Sequence, residues 1–319
     1  MPSRESVRVL VLVAPGQGAQ KPGFLTPWLD LPGVADRLRE WSDALELDLV
    51  HFGTKADAEE IRDTAVAQPM LVAAALVSAD ALLDGLDASR VVGSVAGHSV
   101  GELAAAALAG VVSPGDAMSL VRIRGRAMAE AAAVTETGMA AVLGGDSDTV
   151  TSHLEQLGLT PANINGGGQI VAAGTAGQLA ELAADKPEGA RVRPLQVAGA
   201  FHTVHMAPAV EALENAVRNV TVTDPVIPYV SNADGRSVTT GEEVVSRLVR
   251  QVANPVRWDL CMETFVAGCA TTLIEMCPGG TLTGLAKRSM PGVRTLALKS
   301  PDDLEAARSL VAEHAAVAE

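Results

Sequence analysis

Ser99 lies at the centre of the pentapeptide Gly-His-Ser-Val-Gly, at residues 97–101. An apolar run at residues 91–96 precedes it and a helical pattern follows, which is the strand–turn–helix context that a G-x-S-x-G signature requires. The two glycines leave room for strand and helix to approach closely, and the helix start directs free N–H groups at the reacting centre. The pattern predicts that Ser99 is an activated nucleophile. The alternative is a chance match in a glycine-rich chain, with Ser99 serving only as a helix N-cap.

A serine nucleophile needs a base, and histidine is the usual one. His202 is the candidate, because small residues precede it and it lies between a predicted strand and a predicted helix. An ordinary residue at a helix start is the alternative interpretation. His98 adjoins Ser99 in the turn and is expected to point away from it. Surface positions are expected for three other histidines, His51, His153 and His314.

Arg124 lies on an apolar face of a predicted helix at residues 114–133. Its neighbours three and four positions away are Leu120, Val121, Ala127 and Met128. A guanidinium on such a face must find an anionic partner, because a buried unpaired charge is very costly. The partner is either an internal carboxylate or a substrate carboxylate, which arginine can hold through two hydrogen bonds. The residues alone leave both possibilities open.

A glycine-rich loop at residues 15–20 follows the first apolar run of the chain. It lacks the Gly-Lys-Ser/Thr ending of a P-loop, and Lys21 stands where a G-x-G-x-x-G motif has its last glycine. A nucleotide site is therefore not expected. The backbone N–H groups of such a loop are suited to form half of an oxyanion hole.

The composition of the 319 residues bounds the class of protein. Hydrophobic residues make up 48% and aromatic residues only 3%, so the core must be built mainly from Ala, Val and Leu. A formal net charge of -14 argues against a nucleic-acid binder, whose binding face is basic. Cys261, Cys269 and Cys277 lack the spacing of a disulfide framework or a zinc site, and we expect buried, reduced thiols. No metal site is expected at His202 and His205, because no Cys, Asp or Glu nearby completes one.

Targeting and membrane segments are not recognised in the sequence. Residues 1–5 do not read as the start of a signal peptide. No apolar stretch of the ~18 residues needed for a membrane span stands out. We therefore expect a soluble, cytoplasmic protein.

Alternating helices and short apolar strands predict an α/β protein with a mostly parallel sheet. The first strand is the buried run Val9–Ala14. Between about residues 138 and 198 the order becomes strand, helix, strand, strand, helix, strand, which is typical of a ferredoxin-like unit. We expect a large α/β-hydrolase-like catalytic domain at residues 1–133 and 200–319, with a small ferredoxin-like subdomain inserted at 134–199.

Eight segments, in order along essentially the whole chain, resemble the malonyl-CoA:acyl-carrier-protein transacylases, the loading enzymes of fatty-acid and polyketide synthesis. The segments are Pro-Gly-Gln-Gly-Ala-Gln at 15–20, Gln-Pro at 68–69, Gly-His-Ser-Val-Gly-Glu at 97–102, Arg-Gly-Arg-Ala-Met at 124–128, Asn-Ile-Asn at 163–165, Ala-Phe-His-Thr at 200–203, Asn-Pro-Val-Arg-Trp at 254–258 and Pro-Gly-Gly-Thr-Leu-Thr-Gly-Leu at 278–285. Jointly these motifs are very specific.

The resemblance implies roles for the residues at the matching positions. Ser99 would be the acylated nucleophile and His202 its base. The oxyanion hole would be formed by the backbone N–H groups of Gln17 and Val100. Arg124 would hold the free carboxylate of the malonyl group, which favours the substrate over an internal partner.

Four further residues receive supporting roles from the same resemblance. The backbone carbonyl of Gln251 would orient the histidine, in place of an acidic side chain, and Asn165 would help to order the site. Phe201, directly before the histidine, is expected to favour malonyl over methylmalonyl groups, because its ring crowds the space of a 2-methyl group. Met128 would line the same pocket, and ordinary core packing is the alternative for it.

The resemblance also implies substrates and partners. Malonyl-CoA would donate the acyl group and the phosphopantetheine thiol of an acyl carrier protein would accept it, by a ping-pong mechanism through a malonyl-serine ester. No permanently bound cofactor, metal, nucleic acid or membrane is expected, and the chain is expected to act as a monomer. Because carrier proteins are typically acidic, docking calls for a local basic patch. Its candidates are Arg191, Arg193, Lys287, Arg288 and Arg294, and scattered solvated charges are the alternative interpretation.

Two other classes of function compete with this prediction. A serine thioesterase or esterase of the α/β-hydrolase type shares the motif around Ser99, but it would need an acid between nucleophile and histidine, and a histidine near the C-terminus. A carrier-protein-binding scaffold with a vestigial site is disfavoured, because Ser99, His202 and Arg124 are all present.

Overall fold

The structure is a computed structural model and describes residues 9–315. Its strands are β1 (Val9–Ala14), β2 (Ser94–Gly97), β3 (Thr137–Gly144), β4 (Thr160–Gly166), β5 (Gln169–Thr175), β6 (Ala190–Pro194), β7 (Tyr229–Val230), β8 (Ser237–Val238), β9 (Val256–Arg257), β10 (Ala270–Glu275) and β11 (Arg294–Ala297). They form two sheets, and helices cover both. The expected mixed α/β class is confirmed. Residues 1–5, considered above for a signal peptide, lie outside the described range.

Helices account for most of the remaining chain. They are α1 (Val34–Leu45), α2 (Leu49–Thr54), α3 (Thr64–Leu83), α4 (Ala88–Val91), α5 (Gly101–Leu108), α6 (Pro114–Ala132), α7 (Ser147–Gln156), α8 (Ala176–Ala184), α9 (Ala207–Val217), α10 (Gly241–Gln251), α11 (Trp258–Ala267), α12 (Thr281–Ser289) and α13 (Leu304–Ala315). Short 3-10 turns lie at Thr26–Asp30, Glu60–Arg62, Val204–Met206 and Pro301–Asp303.

The larger sheet has the strand order β11-β10-β1-β2-β7-β8, and every pairing in it is parallel except that of β7 with β8. Strands β1 and β2 are buried almost completely, as their continuous apolar sequences require. Both strands end at the same edge, where Ala14 pairs with Gly97. Ligand sites of open α/β sheets lie beyond this carboxyl edge. The loop at residues 15–20 and the turn that carries Ser99 both start there.

Helix α3 packs at the centre of the main core, against α5 and α6. It is the one helix in the described chain that is long and apolar enough to cross a membrane, and 83% of its most apolar window is buried in the fold. The expectation that no apolar stretch of this length exists was therefore wrong. In the sequence, Gln68 and Pro69 interrupt the apolar run. The helix nevertheless continues through both residues from its start at Thr64, where Asp63 caps it, and so reaches 20 residues.

The smaller sheet has the order β6-β3-β5-β4-β9. Its pairings are antiparallel, except that β9 joins β4 in parallel. Helices α7 and α8 pack on one face and enclose a separate apolar cluster. Strand β9 belongs to the later part of the chain, so it ties the smaller sheet to the segment that follows α10.

Two surface or burial predictions were wrong. His314 is buried, with 4% of its surface exposed, because its ring lies 2.7 Å from the Leu310 carbonyl and 3.1 Å from the Thr271 hydroxyl. Cys269 is exposed, since it lies in the turn after α11 at a φ of +61°. Cys261 and Cys277 are buried free thiols, as predicted.

Candidate active site

The turn that carries Ser99 is a tight crossing of β2 and α5. Ser99 has a φ of +53°, in the left-handed region that non-glycine residues rarely adopt. A Cβ on Gly97 would overlap the backbone of Gly101, and a Cβ on Gly101 would overlap the Ala14 carbonyl. The glycine spacing is therefore a steric requirement. The helix starts only at Gly101, because the left-handed residue at position 99 cannot belong to a right-handed helix.

Asn232, for which the sequence predicted no role, holds this turn in place. Its Oδ1 accepts a hydrogen bond from the Ser99 N–H at 2.8 Å, and its Nδ2 donates to the Gly97 carbonyl at 2.8 Å. Both bonds span more than 130 residues of sequence. The side chain is fully buried just beyond β7, at the carboxyl edge of the sheet. The only sequence feature that could have indicated Asn232 is its position just after the apolar residues 226–230, which predict a buried strand.

Ser99 and His202 lie within direct hydrogen-bonding distance. The Ser99 Oγ is 2.7 Å from Nε2 of His202, and Nδ1 of His202 is 2.8 Å from the backbone oxygen of Gln251. A carbonyl only accepts, so Nδ1 carries the proton and the lone pair of Nε2 faces the hydroxyl. His202 itself has a φ of +62° and is 3% exposed.

The electrostatic surroundings keep His202 neutral. Burial, reinforced by the positive charge of Arg124, lowers the pKa of His202 to about 3. A neutral imidazole with a free Nε2 lone pair is the form that can remove a proton from a serine hydroxyl. The acceptor for Nδ1 is a main-chain oxygen and not the carboxylate of an acidic side chain.

Arg124 is buried among polar groups and is 1% exposed. Its Nη1 donates to Oε1 of Gln68 at 2.6 Å, and its Nη2 donates to Oε1 of Gln251 at 2.7 Å. Nη2 also lies 3.3 Å from the Ser99 Oγ. No carboxylate within residues 9–315 comes within 4.0 Å of the guanidinium, so the internal ion pair is not found. Burial lowers the pKa of Arg124 to about 10, which leaves it charged at neutral pH, and the charge of Glu102 opposes that lowering.

Two backbone N–H groups are free near Ser99. Neither Gln17 nor Val100 donates its backbone N–H to a group in the described chain. The loop of Gln17 lies against the turn, because a Cβ on Gly16 would come within 2.8 Å of the His98 oxygen. The Gln17 side chain anchors the loop by donating to Oγ1 of Thr64 at 3.2 Å. These N–H groups are available to a ligand oxygen.

His98 contacts the smaller sheet. Its Nε2 lies 2.8 Å from Oδ1 of Asn165 on β4, and its ring packs edge-on against Trp258 with centroids 5.7 Å apart. Burial lowers the pKa of His98. Asn165 thus acts on the turn through the residue next to Ser99, and it joins the smaller sheet to the carboxyl edge of the larger one.

Phe201 and Met128 are both buried in the main core cluster. The Met128 sulfur lies 3.5 Å from Nε2 of Gln68, whose other amide atom accepts from Arg124. Met128 is therefore one side chain away from the guanidinium. Gln68, which lies in a segment that carried the resemblance but had no role assigned to it, connects the two.

The described part of the chain has no group of three or more His, Cys, Asp or Glu side chains placed to hold a metal ion. What it does bring together is a serine, a neutral histidine, a charged arginine and two free backbone N–H groups. Such a set can activate a hydroxyl, bind an oxyanion and bind a carboxylate. These are the groups that an acyl-transferring enzyme needs.

Comparison with known proteins gives the class directly. The chain belongs to the acyl transferase domain family, whose model matches residues 11–300. It is therefore an acyltransferase, and the resemblance found in the sequence is confirmed.

Relatives of known name span nearly the whole chain. A malonyl CoA-acyl carrier protein transacylase of Mycobacterium tuberculosis is 51% identical over 302 residues, which cover 93% of this chain and 98% of that protein. The crystal structure of MCAT from Mycobacterium tuberculosis superposes with a TM-score of 0.89 at 50% identity, covering 94% of this chain and 100% of the other. A type II PKS acyl-carrier protein in complex with its malonyl-transacylase has a TM-score of 0.86 at 30% identity, covering 95% of this chain and 99% of that one.

Proposed function

We propose that this chain transfers the malonyl group of malonyl-CoA to the phosphopantetheine thiol of an acyl carrier protein, through an ester on Ser99. One observation carries the proposal: the Ser99 Oγ lies 2.7 Å from the free nitrogen of His202 and 3.3 Å from the Arg124 guanidinium. A half-buried nucleophile and a buried carboxylate-binding cation thus share one site. The names of the relatives support the same substrate pair.

The first half-reaction forms the ester and frees coenzyme A. His202 takes the hydroxyl proton on Nε2 while the Ser99 oxygen attacks the thioester carbon. The oxygen of the tetrahedral adduct is held by the N–H groups of Gln17 and Val100. The C–S bond then breaks, and the thiolate leaves with the proton from the imidazolium. Arg124 binds the distal carboxylate and holds the acyl group in one pose.

The second half-reaction reverses these roles with a different thiol. His202 accepts the proton of the phosphopantetheine thiol, and the thiolate sulfur attacks the ester carbon of malonyl-Ser99. The C–O bond breaks, and Ser99 recovers its proton from the imidazolium. Because the orienting partner of His202 is the Gln251 backbone oxygen and not an acid, the site differs from that of an α/β-hydrolase-type esterase. We therefore favour transfer over hydrolysis.

Mass spectrometry of the intact protein after incubation with malonyl-CoA tests this function. We expect one malonyl adduct, mapped to Ser99, that moves to a carrier-protein thiol faster than to water. Ser99→Ala is the matched control and should carry no adduct. Transfer that persists in Ser99→Ala would overturn the proposal, and an adduct lost to water before it reaches the thiol would point to the hydrolase.

Arg124→Ala tests the carboxylate-binding role. Removing one partner of a buried charge pair costs about 2–5 kcal/mol, so kcat/KM for malonyl-CoA should fall roughly 30-fold or more. Acetyl-CoA lacks the distal carboxylate and should lose far less. Equal losses with both donors would refute the role of Arg124.

We propose that Phe201 and Met128 restrict the acyl group to malonyl. Both are buried in the main core, and Gln68 connects Met128 to Arg124. Phe201→Ala should raise the rate with methylmalonyl-CoA relative to malonyl-CoA, because the ring no longer occupies the space of the methyl group. An unchanged ratio would assign Phe201 to packing alone.

We propose a narrower docking patch than the sequence suggested. Arg191 and Arg193 lie on β6, and Lys287 and Arg288 lie at the end of α12, all exposed. Two of these residues lie on neighbouring segments. Arg288 contacts the turn between β4 and β5, and this turn is hydrogen-bonded to the end of β3. Arg191 is paired with the same end of β3. Arg294 is instead ion-paired with Glu313, 2.7 Å away.

A charge-reversal double variant at Lys287 and Arg288 tests the patch. It should raise KM for the carrier protein and leave acylation by malonyl-CoA unchanged. Arg294→Glu is the matched control and should change neither. Unchanged turnover with carrier protein in the double variant would remove this patch from the proposal.

We also propose a finer description of the fold. The order of β6, β3, β5 and β4, with α7 and α8 between them in sequence, supports a ferredoxin-like subdomain at residues 134–199. The parallel sheet and its β2–turn–α5 crossing support a hydrolase-like domain at 1–133 and 200–319.

The remaining expectations concern the setting of the reaction. We propose a cytoplasmic monomer that needs no bound cofactor, because the groups that act on the acyl chain in the mechanism above all belong to the protein. Reduced cysteines fit that compartment, since none of the three is paired. Sedimentation of the purified protein would test the monomer.

A further inference from the structure

Glu102 is a buried acid that takes no part in the mechanism above. It lies in the first turn of α5, three residues after Ser99, and is 1% exposed. One carboxylate oxygen accepts from the backbone N–H of Asn232 at 2.8 Å. The other accepts a hydrogen bond from Nε2 of Gln251. An ionised carboxylate in such a place needs a compensating positive charge.

Gln251 links this acid to the candidate active site. Its Nε2 donates to Glu102 and also to the Ser99 carbonyl at 2.9 Å, while its Oε1 accepts from Arg124 at 2.7 Å. One amide group therefore has the carboxylate on its donor side and the guanidinium on its acceptor side. This orientation of the amide is determined by both charges at once, because an acid accepts and a guanidinium only donates.

The arrangement separates the guanidinium from its counter-charge by one side chain. A carboxylate bonded directly to Arg124 would occupy the N–H donors that a substrate carboxylate needs. Arg124 has five N–H donors, and the described contacts involve only Nη1 and Nη2, so its fork is not saturated. The Glu102 charge nevertheless favours the charged form of Arg124.

We propose that Glu102 is a positioning residue that, through the Gln251 amide, keeps the Arg124 guanidinium aimed at the acyl carboxylate. This inference rests on the proposed function of Arg124. Glu102 thereby determines selectivity for acyl groups that carry a carboxylate, without touching the substrate.

The test compares malonyl-CoA with acetyl-CoA in the acylation of Ser99. The measurement is made at pH 8, where the Glu102 carboxylate is mostly ionised because its pKa is about 7. Glu102→Gln keeps the shape of the side chain and removes this charge. We expect kcat/KM to fall about tenfold with malonyl-CoA, which is within the range of coupling between residues of one hydrogen-bond network. With acetyl-CoA, kcat/KM should change less than about threefold. Glu102→Asp restores a carboxylate and should recover part of the malonyl rate.

Glu275→Gln is the matched control. Glu275 is another fully buried glutamate, and it accepts from the backbone N–H groups of Gly280, Leu282 and Thr283 at the start of α12. Its replacement should lower stability and leave the malonyl-to-acetyl ratio unchanged. If both variants show the same ratio as the unsubstituted protein, the inference fails.

A double-mutant cycle separates this inference from the function on which it rests. In an Arg124→Ala background, Glu102→Gln should have no further effect on the malonyl-to-acetyl ratio. If Arg124→Ala lowers kcat/KM equally with malonyl-CoA and acetyl-CoA, the proposed carboxylate-binding role of Arg124 fails. If Arg124→Ala lowers it mainly with malonyl-CoA but Glu102→Gln lowers it equally with both donors, only the role of Glu102 fails. Should Glu102→Gln not fold, Gln251→Leu breaks the same link and must show the same selective loss, or the inference is overturned.

Discussion

The pKa of His202 predicts that the base stays active well below neutral pH. A histidine with an ordinary pKa of about 6.5 is about 97% protonated at pH 5, so a reaction that needs its neutral form would slow about 30-fold. Burial and the charge of Arg124 lower the pKa of His202 to about 3. At pH 5 only about 1% of such a group is protonated. The rate of Ser99 acylation should therefore be almost constant from pH 7 to pH 5.

The assay measures kcat/KM for acylation by acetyl-CoA between pH 4.5 and 8, by mass spectrometry of the quenched protein. An uncharged acyl group is used because burial raises the pKa of Glu102 to about 7, and its titration would add a second transition with malonyl-CoA. Circular dichroism at each pH verifies that the protein is folded. An acid limb with a midpoint near pH 6.5 would refute the argument, because it would show that His202 titrates normally.

The same shift has a consequence for stability, and its sign follows from linkage. Since the folded pKa of His202 lies below the unfolded value of 6.5, its contribution is present above pH 6.5 and is lost as the pH falls to about 3, by about 5 kcal/mol in all. Glu102 acts in the opposite sense: its contribution is lost as the pH rises from 4.5 to about 7, by about 3 kcal/mol. The two slopes cancel between pH 4.5 and 6.5. Urea unfolding of His202→Gln should reveal the falling Glu102 slope there, and a flat profile would contradict it.

Three further predictions follow from the packing of the turn and the exposure of the thiols. Gly97→Ala should lose about 3 kcal/mol of unfolding free energy or more, together with activity, because its Cβ overlaps Gly101. As a control, Gly284→Ala has nothing within 4 Å of its Cβ, and its unfolding free energy in urea should rise by about 0.5–1 kcal/mol. Asn232→Ala leaves buried backbone groups of the turn unpaired and should cost about 1–3 kcal/mol and most of the acylation rate. Iodoacetamide should label the exposed Cys269 alone in the native protein and leave malonyl transfer intact; labelling of a buried thiol or loss of transfer would contradict this.

Local patterns were enough to predict the parts of the site that depend on local geometry. The glycines around Ser99 have a steric reason that a few residues of sequence can show, and the apolar neighbours of Arg124 correctly placed it inside the protein. The boundaries of β2 were less accurate. The apolar run at 91–96 contains the last residue of α4, a short helix that Asp87 caps at its start, so the strand starts only at Ser94.

Contacts between distant segments could not be predicted. Asn232 meets the Ser99 turn across 133 residues, and Gln251 meets Glu102 across 149. A single sequence shows such side chains only as polar residues at the ends of apolar elements, which is an ordinary place for an asparagine or a glutamine. The two-residue strand β9 is also too short to leave a periodic signal.

The atom that orients His202 belongs to the main chain, since it is the carbonyl oxygen of Gln251. A side-chain acid can be deleted by one substitution, but no exchange of residue type at position 251 deletes a carbonyl. Substitutions at position 251 can therefore remove the side-chain contact with Arg124 while the orientation of the His202 ring is kept. Gln251 is the last residue of helix α10, so a shift of that helix end would turn the His202 ring and displace the Arg124 guanidinium in one movement. Variants that separate proton transfer from acyl selectivity should accordingly arise at the Gln251 side chain, and variants that lose both should arise in the packing beneath α10.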